Sequence, residues 1–510
     1  MSKYDQSKFI TPKEKLDYIY SRYLNASGVA TQISNVKSGC LYFSITPHRP
    51  SSKLKLLIWK CYTFFEIYTP NLVDFMLAMV SRVIKNTNIL FKLDRLREKK
   101  LNGNAEAPLA LKMGACAAVV DCRKYKGPMY IYVPSVERCF HDLAKYHSSC
   151  KDVMKIAITG SCGKTTTKEL INAVISKEIP TYCTPDSYNT LLGVSNTVLD
   201  AKTNIKALVV EISSPGNDII YSKCKIVQPG LGIITCIGKA HLEGFGDIDG
   251  VIKIKRQLFD YIVENKGFFF ANIDDRNIVK IVGDYPSVWT YGQSPSAYIR
   301  GEAIENNPFL KVRWSLPENL QDQTGQTFLD IQTHLFGAYN LSNVLAAIAV
   351  GAYLGISVDN IRHGIESYIP QNHRSQILPI ADVTFIMDAY NANPTSMNAA
   401  LDDFANLEAP QKIAILGDML ELGHHSLEEH TLVVDKLATM NLDAVYFVGK
   451  EFGRAGADKV GQNFRSAAQL ADSLSHDVLR HAHVLVKGSR GIGLERILKR
   501  FDFPFGEDDA

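Results

Sequence analysis

The stretch Lys155–Thr167, KIAITGSCGKTTT, decides how this chain folds. With Met154 in front, its first half reads MKIAIT, an apolar run rich in β-branched residues and closed by a glycine. That is the pattern of a buried parallel strand. Leu170, Ile171, Val174 and Ile175 then recur at helical spacing, which predicts a helix starting near Lys164. A strand, a tight glycine turn and a helix N-terminus make a phosphate cradle, because free backbone N–H groups and the helix dipole both favour an anion there. Lys164 then reaches the β/γ-phosphates of a nucleotide, and the Thr165 hydroxyl a Mg²⁺ ion. The spacing T-G-x-x-G-K-T-T is shorter than the usual P-loop, since Ile158 stands where a glycine is usual. A Gly-x-x-Gly-Lys turn also arises by chance. The strand before it and the amphipathic helix behind it argue for an ATP site.

The rest of the chain is ordinary in bulk. At 510 residues it is too long for one core, and about three domains are expected. Its 46% hydrophobic and 21% charged residues fit a soluble globular protein. A net charge of +3 gives no argument for nucleic acid. The ten cysteines hold no C-x-x-C pair and none follows Cys236. That is neither a zinc pattern nor a disulfide framework, so a reducing cytosol is expected. The N-terminus, MSKYDQSKFITPKEK, is too polar for a signal peptide, and a cytoplasmic protein without a transmembrane segment follows.

Three regions are expected. Residues 1–150 form a small α/β domain with strands at Gly39–Ile45, Ala115–Asp121 and Met129–Val133, and a helix over Leu109–Met113. Inside it, roughly Ser51 to Lys100 is an apolar block that Lys55, Lys60, Glu66 and Asp74 interrupt too often for a membrane span. One or two amphipathic helices docked on the first domain are expected there, with membrane association as the alternative. Residues 151–366 add strands Ala207–Ile212, Leu231–Ile237 and Gly267–Ala271 to the cradle strand. Alternating strands and helices make a doubly wound, mostly parallel sheet with its ligand at the carboxyl ends of the strands. Glu211 falls at such an end, where a carboxylate can hold Mg²⁺. His241 follows the strand expected beside the cradle strand, either as a structural loop residue or as a site residue. Residues 367–510 form a second, Rossmann-like α/β domain with strands Thr384–Met387, Lys412–Leu416, Ala444–Val448 and His483–Val486.

Several motifs, in order, resemble the Mur ligase family, over about residues 101 to 500. Thr159–Thr167 is similar to its ATP loop, with Cys162 where asparagine is usual. Asn189–Ser195 (NTLLGVS) resembles N-x-x-x-G-V-P. Ala240–Phe259 (AHLEGFGDIDGVIKIKRQLF) resembles the branch that adds a D-alanyl-D-alanine dipeptide. Asn272–Asp275 resembles the N-x-D-D turn, and Asn340–Ala347 the H-N-x-x-N-x-L-A-A run, with Tyr339 in place of its histidine. Asn372–Gln376, Asp388–Pro394, Gly417–Gly423 and Lys487–Arg490 complete the set.

The resemblance implies a three-domain, ATP-dependent amide-bond ligase that joins D-alanyl-D-alanine to UDP-N-acetylmuramoyl-tripeptide through an acyl phosphate, in peptidoglycan precursor synthesis. The first domain would hold the UDP-sugar peptide, the central one ATP, and the third the dipeptide. It implies ATP contacts from Thr159, Gly160, Ser161, Cys162, Gly163, Lys164, Thr165, Thr166 and Asn272, with Arg374 on the γ-phosphate and Asp388 on the ribose. It implies two Mg²⁺ ions, one near Thr165 and Glu211, the other near His241 and a carbamylated Lys255. Lys164, His241 and Lys255 would be catalytic, and Asn189 and Asn391 would touch the substrates. A monomer is expected. The family's S-T-D-T-R element, which helps hold the UDP-sugar, aligns with Ala30–Ser34 (ATQIS), without its acid or arginine. Two alternatives stay open: another amide-forming ligase of the family, and a non-catalytic or altered-substrate nucleotide-binding relative.

Overall fold

The computed structural model describes Ile19 and residues 29–30, 41–43, 103–201, 204–214, 220–371 and 373–501. The block from Ser51 to Lys100, the Thr31–Ser34 part of the altered substrate motif, and Asn372 lie outside the described residues. The chain divides into two compact units, Met1–His147 and Ser148–Ala510. Among the described residues no helix is long and apolar enough to cross a membrane.

In the first unit, β1 (Val29–Ala30), β2 (Leu41–Phe43), β3 (Ala117–Val120) and β4 (Tyr130–Tyr132) form an all-parallel sheet in that order. Helix α1 (Gly103–Lys112) supplies Ala107 and Ala110, which pack with Ala118 and Val120 of β3. Small side chains let this helix lie close to the sheet.

The second unit holds two sheets. The larger has nine strands: β5 (Met154–Thr159), β6 (Thr181–Cys183), β7 (Ala207–Glu211), β8 (Leu231–Ile234), β9 (Phe268–Asn272), β10 (Val288–Gly292), β11 (Ile299–Asn306), β12 (Phe309–Ser315) and β13 (Phe328–Phe336). Their order is β13-β12-β11-β10-β9-β8-β5-β7-β6. The strand expected from MKIAIT is β5, and the expected helix is α2, Lys164–Ile175. β5 pairs in parallel with β7 on one side and β8 on the other, so no edge of it meets water. Ile156, Ile158, Leu170, Ile171, Val174 and Ile175 are all fully buried. Each stabilises the unit by about 1.5–3 kcal/mol. The chain passes from β5 to β6 and β7 on one side, then crosses to β8 on the other. That reversal is the topological switch point at which open α/β sheets bind ligands.

Strands β6 and β10–β13 were not expected from the sequence. From β11 to β13 the pairing turns antiparallel, and burial alternates along β12 and β13, with Leu310, Val312, Trp314, Leu329 and Ile331 turned into the core. The predicted strand Leu231–Ile237 stops at Ile234 because the next residues hydrogen-bond into loops: Thr235 Oγ1 to the Cys162 carbonyl, Ile237 N to Asp275 at 2.8 Å.

The smaller sheet contains β14 (Gln376–Ile380), β15 (Val383–Asp388), β16 (Gln411–Gly417), β17 (Ala444–Val448), β18 (Gln462–Phe464) and β19 (Ala482–Lys487), ordered β14-β15-β19-β16-β17-β18. All pairs are parallel except the β14–β15 hairpin. The four strands expected here are β15, β16, β17 and β19.

Candidate active site

The cradle is set by two glycines. At Gly160 (φ 151°) a Cβ would lie 1.9 Å from Thr235 Oγ1, and at Gly163 (φ 76°) one would lie 2.3 Å from Asn343 Oδ1. Neither position has room for a side chain. Gly163 is the N-cap of α2 and no side chain caps that helix, so its first-turn N–H groups stay available to an anion. Lys164 is folded over the loop, donating to the carbonyls of Gly160 and Ser161 at 2.8 and 3.3 Å.

One strand away, Glu211 ends β7 with 1% of its surface exposed. Its Oε2 accepts from Thr165 Oγ1 at 2.6 Å and its Oε1 from Asn189 Nδ2 at 2.7 Å. Thr184 Oγ1 accepts from its backbone N at 3.1 Å. The strand end and the helix start thus bring the two residues expected at one metal ion into direct contact. Lys223, on α4 (Ile220–Val227) after α3 (Leu191–Asp200), donates to the carbonyls of Asn189 and Ser213. Burial pushes its pKa down to about 8.

Lys255 sits on the inward face of α5 (Ile248–Glu264), a helix capped by Asp247, whose Oδ1 accepts from Gly250 N at 2.9 Å. It is fully buried and its Nζ has no hydrogen-bond partner. Burial, then the charges of Lys164 and Lys223, hold its pKa well below the ordinary lysine value; Cys236 and Glu211 oppose the shift weakly. The arrangement favours a neutral amine. His241, left-handed at φ 53°, pairs through Nδ1 with the Glu421 carboxylate from the smaller sheet's loops. The same loop is tied down by Lys239 N to Thr395 Oγ1 at 2.9 Å and by the Lys239–Glu429 ion pair at 2.5 Å.

From the smaller sheet, Asp388 at the end of β15 pairs with Lys487 at the end of β19, which is 1% exposed, and accepts from Ser375 N at 3.3 Å. Arg374 lies over the Tyr390 ring at 3.6 Å, and the Tyr390 hydroxyl meets Ser187 Oγ from the larger sheet's loops. A polar relay joins the two halves. Thr167 Oγ1 donates to Asn343 Oδ1 (3.0 Å), Asn343 Nδ2 to Asn340 Oδ1 (2.8 Å), and Asn340 Nδ2 to Ser375 Oγ (3.3 Å), beside Asp388. Asn340 and Asn343 lie at the start of α6 (Leu341–Tyr353).

Groups from both sheets line one cleft of about 550 Å³. Of the predicted site residues, Ser161, Cys162, Gly163, Lys164, Thr165, Thr166, Asn189, Glu211, His241, Arg374, Asp388 and Asn391 line it. Thr159, Gly160 and Lys255 are not in its lining. Asn272 is not in the lining: its Oδ1 accepts from Asp274 N at 3.0 Å and so shapes its own turn. Lys223, Cys236, Tyr339, Asn343, Tyr390 and Lys487 line the cleft without having been assigned to it from sequence. Tyr339, Asn343, Tyr390 and Lys487 stood inside quoted motifs, as did Glu421; Lys223 is one lysine on a short helix and carried no signal.

Comparison with known proteins follows the same lines. Residues 158–351 match the family described as Mur ligase middle domain, and residues 373–490 the one described as Mur ligase, glutamate ligase domain. The UDP-N-acetylmuramoyl-tripeptide–D-alanyl-D-alanine ligase of Treponema pallidum (strain Nichols) is 30% identical over 428 residues, covering 79% of this chain and 89% of that protein. The enzyme of the same name from Bacillus subtilis (strain 168) is 27% identical over 425 residues, covering 79% and 88%. Among solved structures, MurF from Acinetobacter baumannii aligns with a TM-score of 0.77 at 22% identity, over 96% of this chain and 98% of that one. MurF ligase from Thermotoga maritima, in complex with ADP, aligns with a TM-score of 0.75 at 20% identity, over 94% and 98%. At those identities the structural likeness shows the fold.

Proposed function

The chain belongs to the Mur ligase family, and from that premise we propose that it joins D-alanyl-D-alanine to UDP-N-acetylmuramoyl-tripeptide, using ATP and an acyl-phosphate intermediate. One observation carries the reading. The phosphate cradle and Arg374, Asp388 and Asn391 of the smaller sheet's side line a single cleft. A carboxylate is a poor electrophile, so the γ-phosphoryl group first passes to it, and the dipeptide amine then attacks the activated carbonyl and expels phosphate. Both steps depend mainly on positioning and charge neutralisation.

The roles divide accordingly. The first-turn N–H groups of α2 receive the phosphates, and Lys164 exchanges its loop carbonyls for phosphate oxygens. Arg374 neutralises the γ-phosphoryl group, Asp388 holds the ribose, and Asn189 and Asn391 orient the substrates. The hard oxygen donors of Thr165 and Glu211 fit one Mg²⁺ ion, which when bound would neutralise charge on the transferring group. Among the described residues no three His, Cys, Asp or Glu side chains converge as a metal cage. A carbamate on Lys255 would give the second ion, near His241, the carboxylate-like oxygens it needs, and the buried amine of Lys255, which has no hydrogen-bond partner, suits addition to CO₂.

The test is a product assay with purified full-length protein. ADP and phosphate should form only when the UDP-sugar tripeptide and D-alanyl-D-alanine are both present. Turnover equal to background with every standard tripeptide, in folded protein that binds ATP, would end the ligase reading.

A further inference from the structure

Two cysteines face each other inside the cradle. Cys162 is the middle of the G-S-C-G turn, and Cys236 follows β8 on the neighbouring strand. Their Sγ atoms are 3.0 Å apart. The backbones are interlocked as well: Ser161 N donates to the Cys236 carbonyl at 2.9 Å, and Cys162 N to Cys236 Sγ at 3.2 Å. Both residues are partly exposed and line the cleft, which gives a small solute a route to the pair. The resemblance puts asparagine at position 162, so the ligation chemistry does not require the pair.

We propose that Cys162 and Cys236 are an oxidation-sensitive dithiol whose reactant is a peroxide or a low-molecular-weight disulfide, and whose disulfide form closes the phosphate cradle. The consequence for nucleotide rests on the ATP reading above; the formation of the bond does not.

With hydrogen peroxide, Cys236 Sγ as thiolate attacks one peroxide oxygen. An S–O bond forms, the O–O bond breaks, and hydroxide leaves and takes up a proton as water. Cys236 is thereby oxidised by two electrons to a sulfenic acid and the peroxide reduced. Cys162 Sγ then attacks Cys236 Sγ. The S–S bond forms as the S–O bond breaks, and the hydroxyl leaves with the Cys162 proton as a second water. The surroundings favour Cys236 as the attacking sulfur. The hydrogen bond from the Cys162 thiol lowers its pKa, against burial; the Cys162 N–H and Lys164 assist, and Asp275 opposes. Lys255 and Tyr291 also lie within electrostatic range of it.

A disulfide needs the sulfurs about 2 Å apart, roughly 1 Å closer than they stand. One or both sulfurs must therefore move, and Cys162 lies between the two glycines that shape the cradle and two residues before Lys164. A shift of that size disturbs several charge-assisted hydrogen bonds to an anion at once, enough for a loss of about tenfold or more in nucleotide affinity.

The experiment uses the full-length protein, fully reduced, then exposed to hydrogen peroxide or oxidised glutathione with and without ATP. Peptide mapping reads the linkage, and binding of a fluorescent ATP analogue reads the cradle. A linked Cys162–Cys236 peptide pair is expected, slowed by ATP, together with the affinity loss and its reversal by dithiothreitol. Cys236→Ser and Cys162→Asn, each compared with its own reduced form, should lose the oxidant response. Absence of the linked pair while other cysteines oxidise would overturn the proposal. So would a linked protein that binds the analogue as the reduced one does. Reduced protein that binds no ATP would remove the nucleotide consequence and the ATP reading together, while the map, which needs no variant, still decides the dithiol.

Discussion

The two sides of the cleft are built differently. The larger sheet contributes groups fixed by burial: Glu211 is held by Thr165 and Asn189, Lys255 is sealed in, and the glycines touch their neighbours. The smaller sheet contributes groups nearer to water, with Arg374 lying on Tyr390 and Asn391 exposed. Its buried Lys487 is balanced by Asp388. The difference follows from the chemistry proposed for each side. The phosphate cradle depends on atoms that do not move, whereas Arg374 and Asn391 meet a γ-phosphate and a dipeptide that arrive and tolerate adjustment.

Substitutions can break this contrast or sharpen it. The largest effect is expected from Lys255→Ala on the fixed side: a fall of about a thousandfold in kcat with an unchanged Tm. A short carboxylic acid with bicarbonate should recover part of the rate. Full activity in that variant would remove Lys255 from the mechanism. On the other side, Asp388→Asn leaves Lys487 buried without a counter-charge and should cost about 3 kcal/mol of stability, read by denaturant unfolding. A stability equal to the parent's would show that the smaller sheet is not held by this pair.

A weaker effect separates the sides by pH. The Lys223 pKa is about 8 when folded, against an ordinary 10.5. Between those values the unfolded chain holds the proton that the folded chain has released, so stability should rise with pH across the window. Below about 8 both states are protonated and this slope vanishes. Lys223→Met should remove the increment, and identical pH–stability curves for the two proteins would refute the assignment. The smallest effect belongs to Asn391→Ala, expected to raise the KM for the dipeptide about tenfold or less while sparing kcat. A fall in kcat comparable to that of Lys255→Ala would erase the contrast.

How much of this was legible in the sequence depends on distance along the chain. β5, its turn and α2 lie within 22 residues and follow local periodicity, so the strand and the start of the helix are legible there. Glu211 could be placed because it ends an apolar strand. The hairpin β12–β13 was overlooked although FLKVRWS and FLDIQTHLF alternate; continuous apolar runs drew the reading to the parallel core, while a one-faced sheet shows only every second residue. The partner of His241 lies 180 residues away in Glu421, and no spacing rule connects them. The lowered pKa of Lys255 depends on burial and on Lys164 and Lys223, which only the folded chain brings near.

The relay from Thr167 through Asn343 and Asn340 to Ser375 has a thermodynamic consequence. It makes the cradle helix and the loop holding Asp388 parts of one hydrogen-bonded body. A ligand that shifts one end does work on the other, and linkage requires that work to be equal in both directions. If nucleotide tightens the hold on the second substrate by some factor, the second substrate tightens the hold on nucleotide by that same factor. Cooperative binding of the two substrates could then arise from three asparagine and serine side chains, with no part of the chain moving as a lid.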